Sequence, residues 1–339
     1  MYPNHSMPTL LYRIIAPVLA WLLCFSAAHA ADTWHPEEKR VRVIVPSARN
    51  SVIDPLSRLV TEQLSQRLGR QFEIVHIPGN YGITGTAQAV KAKPDGNTLL
   101  LSWAGSLVIS PNLFEALPFS PEKNLEAIGL IAEVPNVLVV NKHFPAQTLS
   151  EFTDYVHKHP GAVNFGSTGV GRSMHLAGEM YMNATESNMV HISYSSAELA
   201  LGNLISGQIE SMFQVAPRII KHVRDGQLRA LGVMSDKRLP ALPDVPTMTE
   251  QGYTDLISTV WFALSAPKGT PAHVIRTLNE ALNAMLADPQ VRAQLDDMGA
   301  LPMGGTPGQM DVLMAAERKK WEQVVNAADL PFQTDVPFH

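Results

Sequence analysis

The chain has 339 residues, of which 45% are hydrophobic and 17% are charged, with 26 basic and 31 acidic side chains. This length exceeds what a single hydrophobic core usually supports, roughly 250 residues, and therefore predicts two domains. The formal net charge of -5 provides no broad basic surface, so nucleic acid is not an expected partner. One cysteine cannot form an internal disulfide, a four-cysteine zinc site or an iron–sulfur cluster.

The first thirty residues have the pattern of a secretory signal peptide. Arg13 is their only charged residue, residues 14–25 are apolar, and Ala28-His29-Ala30 matches the small-x-small cleavage pattern. An apolar run of about twelve residues is too short to cross a bilayer core of about 30 Å, which favours cleavage after Ala30 over an uncleaved anchor. Cys24 lies within this apolar run, which argues against a lipoprotein. The sequence therefore predicts an exported, soluble, disulfide-free mature protein located in the periplasm.

The next part of the chain alternates between strand and helix patterns. Residues 41–45 form a β-branched run that predicts a buried strand. Asp54 and Pro55 predict an N-cap and first helical position, and the apolar face that follows predicts a helix ending at Gly69. Further strands are predicted at residues 72–77 and 98–102, with a helix between them that ends near Ala92.

The alternation continues to about residue 234 and then gives way to helices. Pro135 separates two predicted apolar strands at residues 129–133 and 136–140. Thr148 and Glu151 predict a capping box for the next helix. Later strands are predicted at residues 163–166, 189–192, 208–213 and 228–234. Helices are then predicted to open at Thr270-Pro271, Asp288-Pro289 and Thr306-Pro307. This order predicts an α/β protein with mostly parallel sheets.

Common enzyme and cofactor motifs are missing from the sequence. It contains no G-x-x-x-x-G-K-[ST] phosphate loop, no G-x-S-x-G nucleophile elbow and no H-E-x-x-H zinc motif. Gly169 and Gly171 begin a dinucleotide fingerprint, but Met174 stands where its third glycine belongs. We therefore expect no catalytic residues, no metal and no cofactor.

Polar turns between a strand and a helix N-terminus are the main candidates for a binding site. They lie at residues 46–54, 79–85, 102–106 and 167–173. Free backbone N–H groups and the helix dipole favour an anion at such positions, and ligands of open α/β sheets usually bind beyond the carboxyl ends of the strands. Three of these turns fall in the first half of the chain and one in the second, so an anion could be held from both sides.

The chain resembles the Bug-type extracytoplasmic solute receptors of tripartite tricarboxylate transporters. The resemblance runs from about residue 41 to residue 330. It rests on five segments in the family's order: PDGNTLL at 94–100, VPNVLVVN at 134–141, HLAGE at 175–179, LPDVPT at 242–247 and APKGTP at 266–271. It implies a type II periplasmic-binding-protein fold with two lobes and a ligand cleft between them. Lobe 1 would comprise residues 31–131 and 262–339, and lobe 2 residues 132–261, with crossings near Ala132 and Trp261.

The resemblance also implies where a ligand carboxylate is held, often through ordered water. Residues 47–54 and 167–174 correspond to the family's two binding loops. This chain departs from the family pattern in both. Arg49 replaces a proline, and Asn50, Ser51 and Val52 stand where consecutive glycines are usual. Arg172 replaces a small hydroxyl residue. Elsewhere Ser195-Ser196 replaces Lys-Gly, Gln214 replaces aspartate, and Trp103 replaces a small residue.

Several candidate residues have two interpretations. Arg49 and Arg172 either face each other across the cleft and bind the anion, or both point into water; Arg172 is the stronger candidate because it precedes a helix. Trp103 forms either a flat wall for an apolar ligand or simple packing. Asp54 is interpreted as a helix cap that could also contact the ligand, and His175 with Glu179 as a pair that orients its helix. The predicted ligand-binding set is Ser47, Arg49, Asn50, Ser51, Asp54, Tyr81, Trp103, Ser106, Ser167, Thr168, Gly169, Arg172, Ser173, His175, Tyr194 and Gln214.

The sequence therefore predicts a monomeric periplasmic receptor that is not an enzyme. It would capture a small organic anion by closure of two lobes and deliver it to the membrane subunits of a transporter. A mono- or dicarboxylate, an amino acid and an aromatic acid all remain open as ligands. Two alternatives are an exported α/β enzyme acting on a small acid and a receptor that signals to a membrane sensor.

Overall fold

The computed structural model describes Trp34 and residues 40–330. The predicted signal peptide, with Cys24 and its cleavage site, lies outside the described residues. The chain divides into two compact units, Met1–His35 and Pro36–His339, and every element below belongs to the second. No helix among the described residues is both long enough and apolar enough to cross a membrane.

Ten strands and eleven α-helices make up the described part of the second unit, together with short 3-10 and π turns. The strands are β1 (Arg40–Val45), β2 (Gln71–His76), β3 (Thr98–Trp103), β4 (Leu125–Asn141), β5 (Asn164–Ser167), β6 (Val190–Ser193), β7 (Ser211–Val215), β8 (Leu228–Val233), β9 (Thr259–Pro267) and β10 (Leu301–Gly304). The helices are α1 (Ile53–Leu68), α2 (Ile83–Val90), α3 (Ser110–Leu113), α4 (Pro121–Asn124), α5 (Leu149–Lys158), α6 (Ser173–Thr185), α7 (Ala197–Ser206), α8 (Ile220–Arg224), α9 (Ala272–Ala287), α10 (Pro289–Asp297) and α11 (Pro307–Ala327).

The long strand β4 joins two groups of strands into one ten-stranded sheet. Its first part, up to Pro135, pairs with β9 and β10, and the order continues through β3 and β1 to β2. Its last part, from Asn136, pairs with β7 on one edge and β8 on the other, and β7 continues through β5 to β6. The predicted α/β class is thus present, with both strand groups sharing one element.

The predicted parallel pairing occurs within each strand group. β1 is parallel to β2 and β3, and β5 is parallel to β6 and β7. Every described pair that includes β4 or β9 is antiparallel. β4 and β9 pair antiparallel because the chain leaves the first strand group along β4 and returns to it along β9, so these adjacent strands run in opposite directions. The sheet is therefore mixed.

β4 differs from the two strands predicted around Pro135, because it runs through the proline without a break. Pro135 is the last β4 residue paired with β9, opposite Thr259, and Asn136 is the first paired with β7. A proline lacks the backbone N–H that a central strand position needs. Here it lies where the strand changes partners, so the missing donor does not interrupt a ladder.

The helix after β1 begins earlier than predicted. α1 starts at Ile53, its N-cap is Val52, and Asp54 lies inside the first turn rather than at the cap. The predicted apolar face is buried, including Leu56, Leu59 and Leu64. The helix ends as expected at Gly69, whose φ of 63° is left-handed and whose N–H donates to the carbonyl of Ser65. The Asp54 correction matters for the site, because its carboxylate is used to fix the preceding loop.

The C-terminal helices mostly follow their predicted caps. The Asp288 side chain accepts from the Gln290 N–H, and Thr306 with Gln309 forms a full capping box. The prediction at Thr270-Pro271 is off by one residue, since Pro271 is the N-cap of α9 and the Thr270 hydroxyl donates to the carbonyl of Pro267. At α5 the Thr148 hydroxyl accepts from the Glu151 N–H as predicted, but the Glu151 carboxylate accepts from Gln147 rather than from Thr148.

Two buried tryptophans, one on α11 and one on β9, contact the same carboxylate. Trp261 on β9 and Trp321 on α11 are fully buried. Both indole N–H groups donate to Glu317 Oε2, at 3.2 Å and 3.0 Å. Because an unpaired buried indole N–H would be costly, this shared acceptor lets two large aromatic residues occupy the core together.

Candidate functional site

A cavity of about 550 Å³ lies where the two predicted binding loops meet the middle of the sheet, and we call it the loop cavity. The loop after β1, the loop before α6 and the start of α7 line it, together with residues of β3, β4, β7 and β9. Its lining residues are Ser47, Ala48, Ser51, Val52, Ile53, Trp103, Val134, Thr168, Arg172, Ser173, Met174, Ser195, Ser196, Ala197, Glu198, Gln214, Val215, Arg218, Val260 and Phe262.

The N-termini of three helices reach the loop cavity. Its lining includes Ile53 at the start of α1, Ser173 at the start of α6 and Ala197 at the start of α7. Each N-terminus presents backbone N–H groups and a partial positive charge of about half a unit. The cavity is therefore electrostatically suited to an anion.

Asp54 fixes the loop between β1 and α1. Its Oδ2 accepts from the N–H of Asn50 at 3.1 Å and from Arg58 at 3.3 Å, and its Oδ1 lies 3.1 Å from His76 Nε2. Burial raises the pKa of Asp54, but the Asn50 N–H, Arg58 and His76 outweigh burial and hold the pKa below its usual value. His76 Nδ1 also lies 3.0 Å from the carbonyl oxygen of Ser47. The buried carboxylate thus orders the loop from within.

Asn50 adopts a left-handed backbone conformation at one of the positions where the family usually has glycine. Its φ is 63°, whereas Val52 is right-handed with a φ of -56°. Asparagine tolerates positive φ better than other residues that carry a Cβ atom. The loop therefore makes its sharp turn without consecutive glycines.

Arg172 enters the loop cavity from the opposite loop. Its guanidinium carbon lies 4.2 Å from the centre of the Tyr81 ring, a cation–π distance. The Tyr81 hydroxyl donates to the carbonyl of Val170 at 3.2 Å, so Tyr81 contacts the loop before α6 twice. Among the described residues no carboxylate forms an ion pair with Arg172. Its charge is therefore available to an anion in the cavity.

The other cavity arginine is already paired. Arg218 Nη1 donates to Glu198 Oε1 at 2.6 Å. The N–H of Glu198 itself and the Arg218 guanidinium hold the pKa of the Glu198 carboxyl below its usual value. This pair is neutral overall, so Arg172 rather than Arg218 supplies the uncompensated positive charge.

Two neighbouring histidines, the buried His175 and the partly buried His191, support the loop before α6. His175 Nδ1 accepts from the N–H of Gly171 at 3.1 Å, which places the ring proton on Nε2, 3.3 Å from Glu179 Oε1. The His175 ring lies beside that of His191, with centroids 4.0 Å apart and an angle of 45° between the ring planes. His191 Nε2 lies 2.6 Å from Ser167 Oγ, at the start of the same loop. These contacts favour the interpretation of His175 and Glu179 as residues that orient α6.

We expect His191 to make folding stability depend on pH. Burial first, and then the neighbouring His175, lower the pKa of His191 from 6.5 to about 4. Between these values the unfolded chain binds a proton that the folded chain does not, so stability falls as the pH drops from about 6.5 to about 4. His191 is partly exposed, so we expect it to contribute about 1 to 2 kcal/mol of this loss.

The check is thermal unfolding of wild type and His191→Gln between pH 7.5 and 4.5. The variant should lose less stability on acidification than the wild type. His143→Gln changes an exposed histidine and should retain the wild-type pH profile. A His191→Gln profile parallel to that of the wild type would exclude His191 as the titrating group.

The structure places seven predicted residues on the wall of the loop cavity: Ser47, Ser51, Trp103, Thr168, Arg172, Ser173 and Gln214. Tyr81 lines a smaller adjoining cavity of about 90 Å³, which it shares with Trp103 and Arg172. Trp103 also packs closely on backbone, since a Cβ atom at Gly105 would lie 2.4 Å from its ring nitrogen. It is therefore both packed and part of the cavity wall.

The remaining predicted residues lie outside that lining. Asp54, Ser106, Ser167 and His175 are buried and bonded within the protein. The Tyr194 hydroxyl accepts from Asn203 Nδ2 at 3.1 Å, and Gly169 donates its N–H to Ser167 Oγ. Arg49 and Asn50 are exposed on the first loop. Arg49 therefore does not line the cavity opposite Arg172, and direct ligand contact by any of these eight residues stays a prediction.

Sequence reasoning missed several cavity residues. Val134 and Val260 lie on β4 and β9 close to the predicted crossings, so the crossings themselves were a usable signal for the cleft wall. Glu198 and Arg218 had no such signal, because they come from separate elements, the first turn of α7 and the turn after β7. Only the fold brings them together.

A second, larger cavity of about 770 Å³ lies between α6, α11 and the segment around Asp255, and we call it the α6–α11 groove. Its charged lining residues are Glu179, Asp255 and Lys320. Lys320 contacts the Glu317 carboxylate, which leaves the groove without an uncompensated cation. Its chemistry therefore suits an anion less well than that of the loop cavity. No group of histidine, cysteine and acidic residues within residues 40–330 has the arrangement of a metal site.

The chain is similar in sequence and structure to known periplasmic receptors. A family model described as tripartite tricarboxylate transporter family receptor matches residues 56–330. The structure of the periplasmic binding protein BugD is 30% identical, with a TM-score of 0.75, over 88% of this chain and 100% of that chain.

Two further solved structures contain carboxylates. Rpa4515 of R. palustris with adipate is 27% identical, with a TM-score of 0.77, over 86% of this chain and 98% of that chain. MatC from Rhodopseudomonas palustris with bound malate is 31% identical, with a TM-score of 0.72, over 84% of this chain and 99% of that chain. These likenesses confirm the predicted periplasmic-binding-protein fold.

Proposed function

Because the chain belongs to the tripartite tricarboxylate transporter receptor family, we propose that it captures a small carboxylate in the loop cavity and delivers it to a membrane transporter. The family and the similar solved structures are binding proteins, so the chain is not an enzyme, and the alternative of an exported α/β enzyme acting on a small acid is wrong. Solved relatives are periplasmic, and we propose the periplasm for this chain, reached after cleavage following Ala30.

The observation that carries this proposal is the position of Arg172. It lines the loop cavity beside the N-termini of α1, α6 and α7, and no described carboxylate neutralises it. A charge-assisted hydrogen bond to a ligand carboxylate contributes about 1.5 to 3 kcal/mol. Ser47 and Ser51 on one loop and Thr168 and Ser173 on the other would supply further donors.

Capture would proceed by closure of two lobes, residues 31–131 with 262–339 and residues 132–261. β4 changes its pairing partner from β9 to β7 between Pro135 and Asn136. This change supports a division into two lobes that β4 and β9 connect. A ligand that touches both loops stabilises the closed arrangement by its extra contacts there. The hydrogen bond from the Tyr81 hydroxyl to the carbonyl of Val170 would join the two proposed lobes.

The test is a thermal-shift screen of the mature chain against carboxylates, including adipate and malate, with amino acids and aromatic acids alongside. A ligand at 100 times its dissociation constant adds about 2.7 kcal/mol to stability and raises the melting temperature. A well-folded protein whose melting temperature no carboxylate raises would contradict the proposal.

The membrane partner requires a separate test, because a receptor for a transporter and a receptor for a sensor bind ligand alike. We propose the transporter as partner and a monomer as the receptor's state. Two adjacent genes for membrane proteins with many spans would support transport, whereas a lone sensor gene would favour signalling. Light scattering of the purified protein at micromolar concentration checks the monomer.

A further inference from the structure

Gln214 carries a hydrogen-bond donor that nothing in the described structure uses. It lies near the end of β7, is fully buried and belongs to the wall of the loop cavity. Its Oε1 accepts from the N–H of Val215 at 2.9 Å. Its Nε2 has no hydrogen-bond partner among residues 40–330.

The bond from Val215 settles which end of the Gln214 amide is the donor. A backbone N–H can bond only to the amide oxygen, so the NH₂ group must be the unpaired end. That group donates and cannot accept. Buried donors without a partner are rare in folded proteins because leaving them unpaired costs free energy. A partner for Nε2 must therefore be a hydrogen-bond acceptor.

A second unpaired group belongs to the wall of the loop cavity. Ser51 Oγ, on the loop after β1, is also buried and without a partner within the described part of the chain. Ser51 and Gln214 come from the two different strand groups. One ligand in the cavity could satisfy both, as expected of a molecule with more than one polar group.

We propose that Gln214 determines specificity by donating from Nε2 to an oxygen of the ligand other than the carboxylate bound by Arg172. The site then takes carboxylates that carry a second oxygen acceptor, such as a hydroxyl, carbonyl or further carboxylate. It rejects an ammonium at that place. This inference rests on the proposed function and names the ligand class of the same site.

Rejection of an ammonium follows from the charges of the cavity wall. An ammonium and the Gln214 NH₂ are both donors, so they cannot bond to each other. Arg172 and three helix N-termini add positive potential, and the Glu198 carboxylate is already engaged by Arg218. An amino acid would therefore bring a cation into a cavity that offers it no uncompensated partner.

The experiment compares ligands matched in carbon skeleton by calorimetric titration of the mature protein. Malate and aspartate differ by hydroxyl against ammonium, and succinate lacks both. Adipate and 6-aminohexanoate differ by carboxylate against ammonium, and hexanoate lacks both. We expect malate to bind at least fivefold more tightly than aspartate, and adipate at least tenfold more tightly than 6-aminohexanoate. Equal or tighter binding of the ammonium member in both pairs would overturn the inference.

Two substitutions connect the preference to Gln214. Gln214→Glu keeps the shape of the side chain and the acceptor for the Val215 N–H, but it replaces the NH₂ donor with a carboxylate oxygen. Adipate should therefore bind at least tenfold more weakly. The preference against the ammonium ligand should shrink or reverse. Gln214→Met removes the polar group and should reduce the preference even if the glutamate variant folds poorly, while the part contributed by Arg172 and the helix N-termini remains. Gln290→Glu adds the same charge at an exposed position and should behave as wild type.

Failure of this inference can be told apart from failure of the proposed function. If no carboxylate in the broad screen binds the wild type, the proposed function fails and the inference with it. If carboxylates bind and both Gln214 variants retain the wild-type preference, Gln214 is satisfied by something other than the ligand and this inference alone is wrong.

Discussion

Replacing Arg172 with alanine is expected to weaken binding of the best carboxylate at least tenfold. The guanidinium lines the loop cavity over the Tyr81 ring, and its charge is not balanced by any described acidic side chain. Loss of a charge-assisted hydrogen bond costs about 1.5 to 3 kcal/mol, which corresponds to roughly 10- to 150-fold in the dissociation constant. Calorimetric titration of wild type and variant with the same ligand measures the change.

Arg49→Ala is the matched control for Arg172. Arg49 lies on the first loop, is exposed and is absent from the cavity lining. Its removal deletes the same charge outside the cavity lining, where solvent screens its effect on the ligand, and we expect a change in affinity of less than threefold. Both variants should melt close to the wild type without ligand. An unchanged affinity in Arg172→Ala would remove Arg172 from the site.

Replacing Trp261 with alanine is expected to give the largest loss of stability. The side chain is 1% exposed, and its N–H shares the Glu317 carboxylate with Trp321. Deleting a buried tryptophan costs about 3 to 5 kcal/mol, because apolar contacts are lost and a void remains. Urea unfolding followed by circular dichroism gives the free energy of unfolding without relying on tryptophan fluorescence.

Trp261→Phe separates packing from the hydrogen bond. Phenylalanine keeps most of the buried ring but cannot donate to Glu317, so we expect a loss of about 1 to 2 kcal/mol. Equal destabilisation by alanine and phenylalanine would mean that the bond to Glu317 dominates. Little effect from either would show that β9 and α11 are not held together at this point.

Local patterns were enough to predict most elements of the fold. The β-branched run before Pro46, the apolar face of α1 and the caps at Asp288 and Thr306 each depend on nearby residues, and each appears in the structure. Sequence alone predicts a break at Pro135, because a proline interrupts an ordinary strand. Its tolerance depends on β4 changing from β9 to β7 at that residue, which is a long-range property.

Most of the cavity residues predicted from the sequence lie on the two binding loops. Ser47, Thr168 and Arg172 follow strands and precede helices, so their place at the cavity could be expected from sequence. The exact start of α1 could not, and Asp54 therefore proved to be an internal support for its loop rather than a cap. The pairing of Glu198 with Arg218 and the unused donor of Gln214 depend on side-chain geometry across separate elements.

The most direct measurement of the central claim is hydrogen exchange of the mature protein with and without a saturating carboxylate. If the ligand is held between the two loops, backbone amides in residues 47–54 and 167–174 should both exchange more slowly when it is bound, while those lining the α6–α11 groove should change little. Protection confined to the groove residues around Met182 and Gln323, or to one loop only, would contradict capture in the loop cavity.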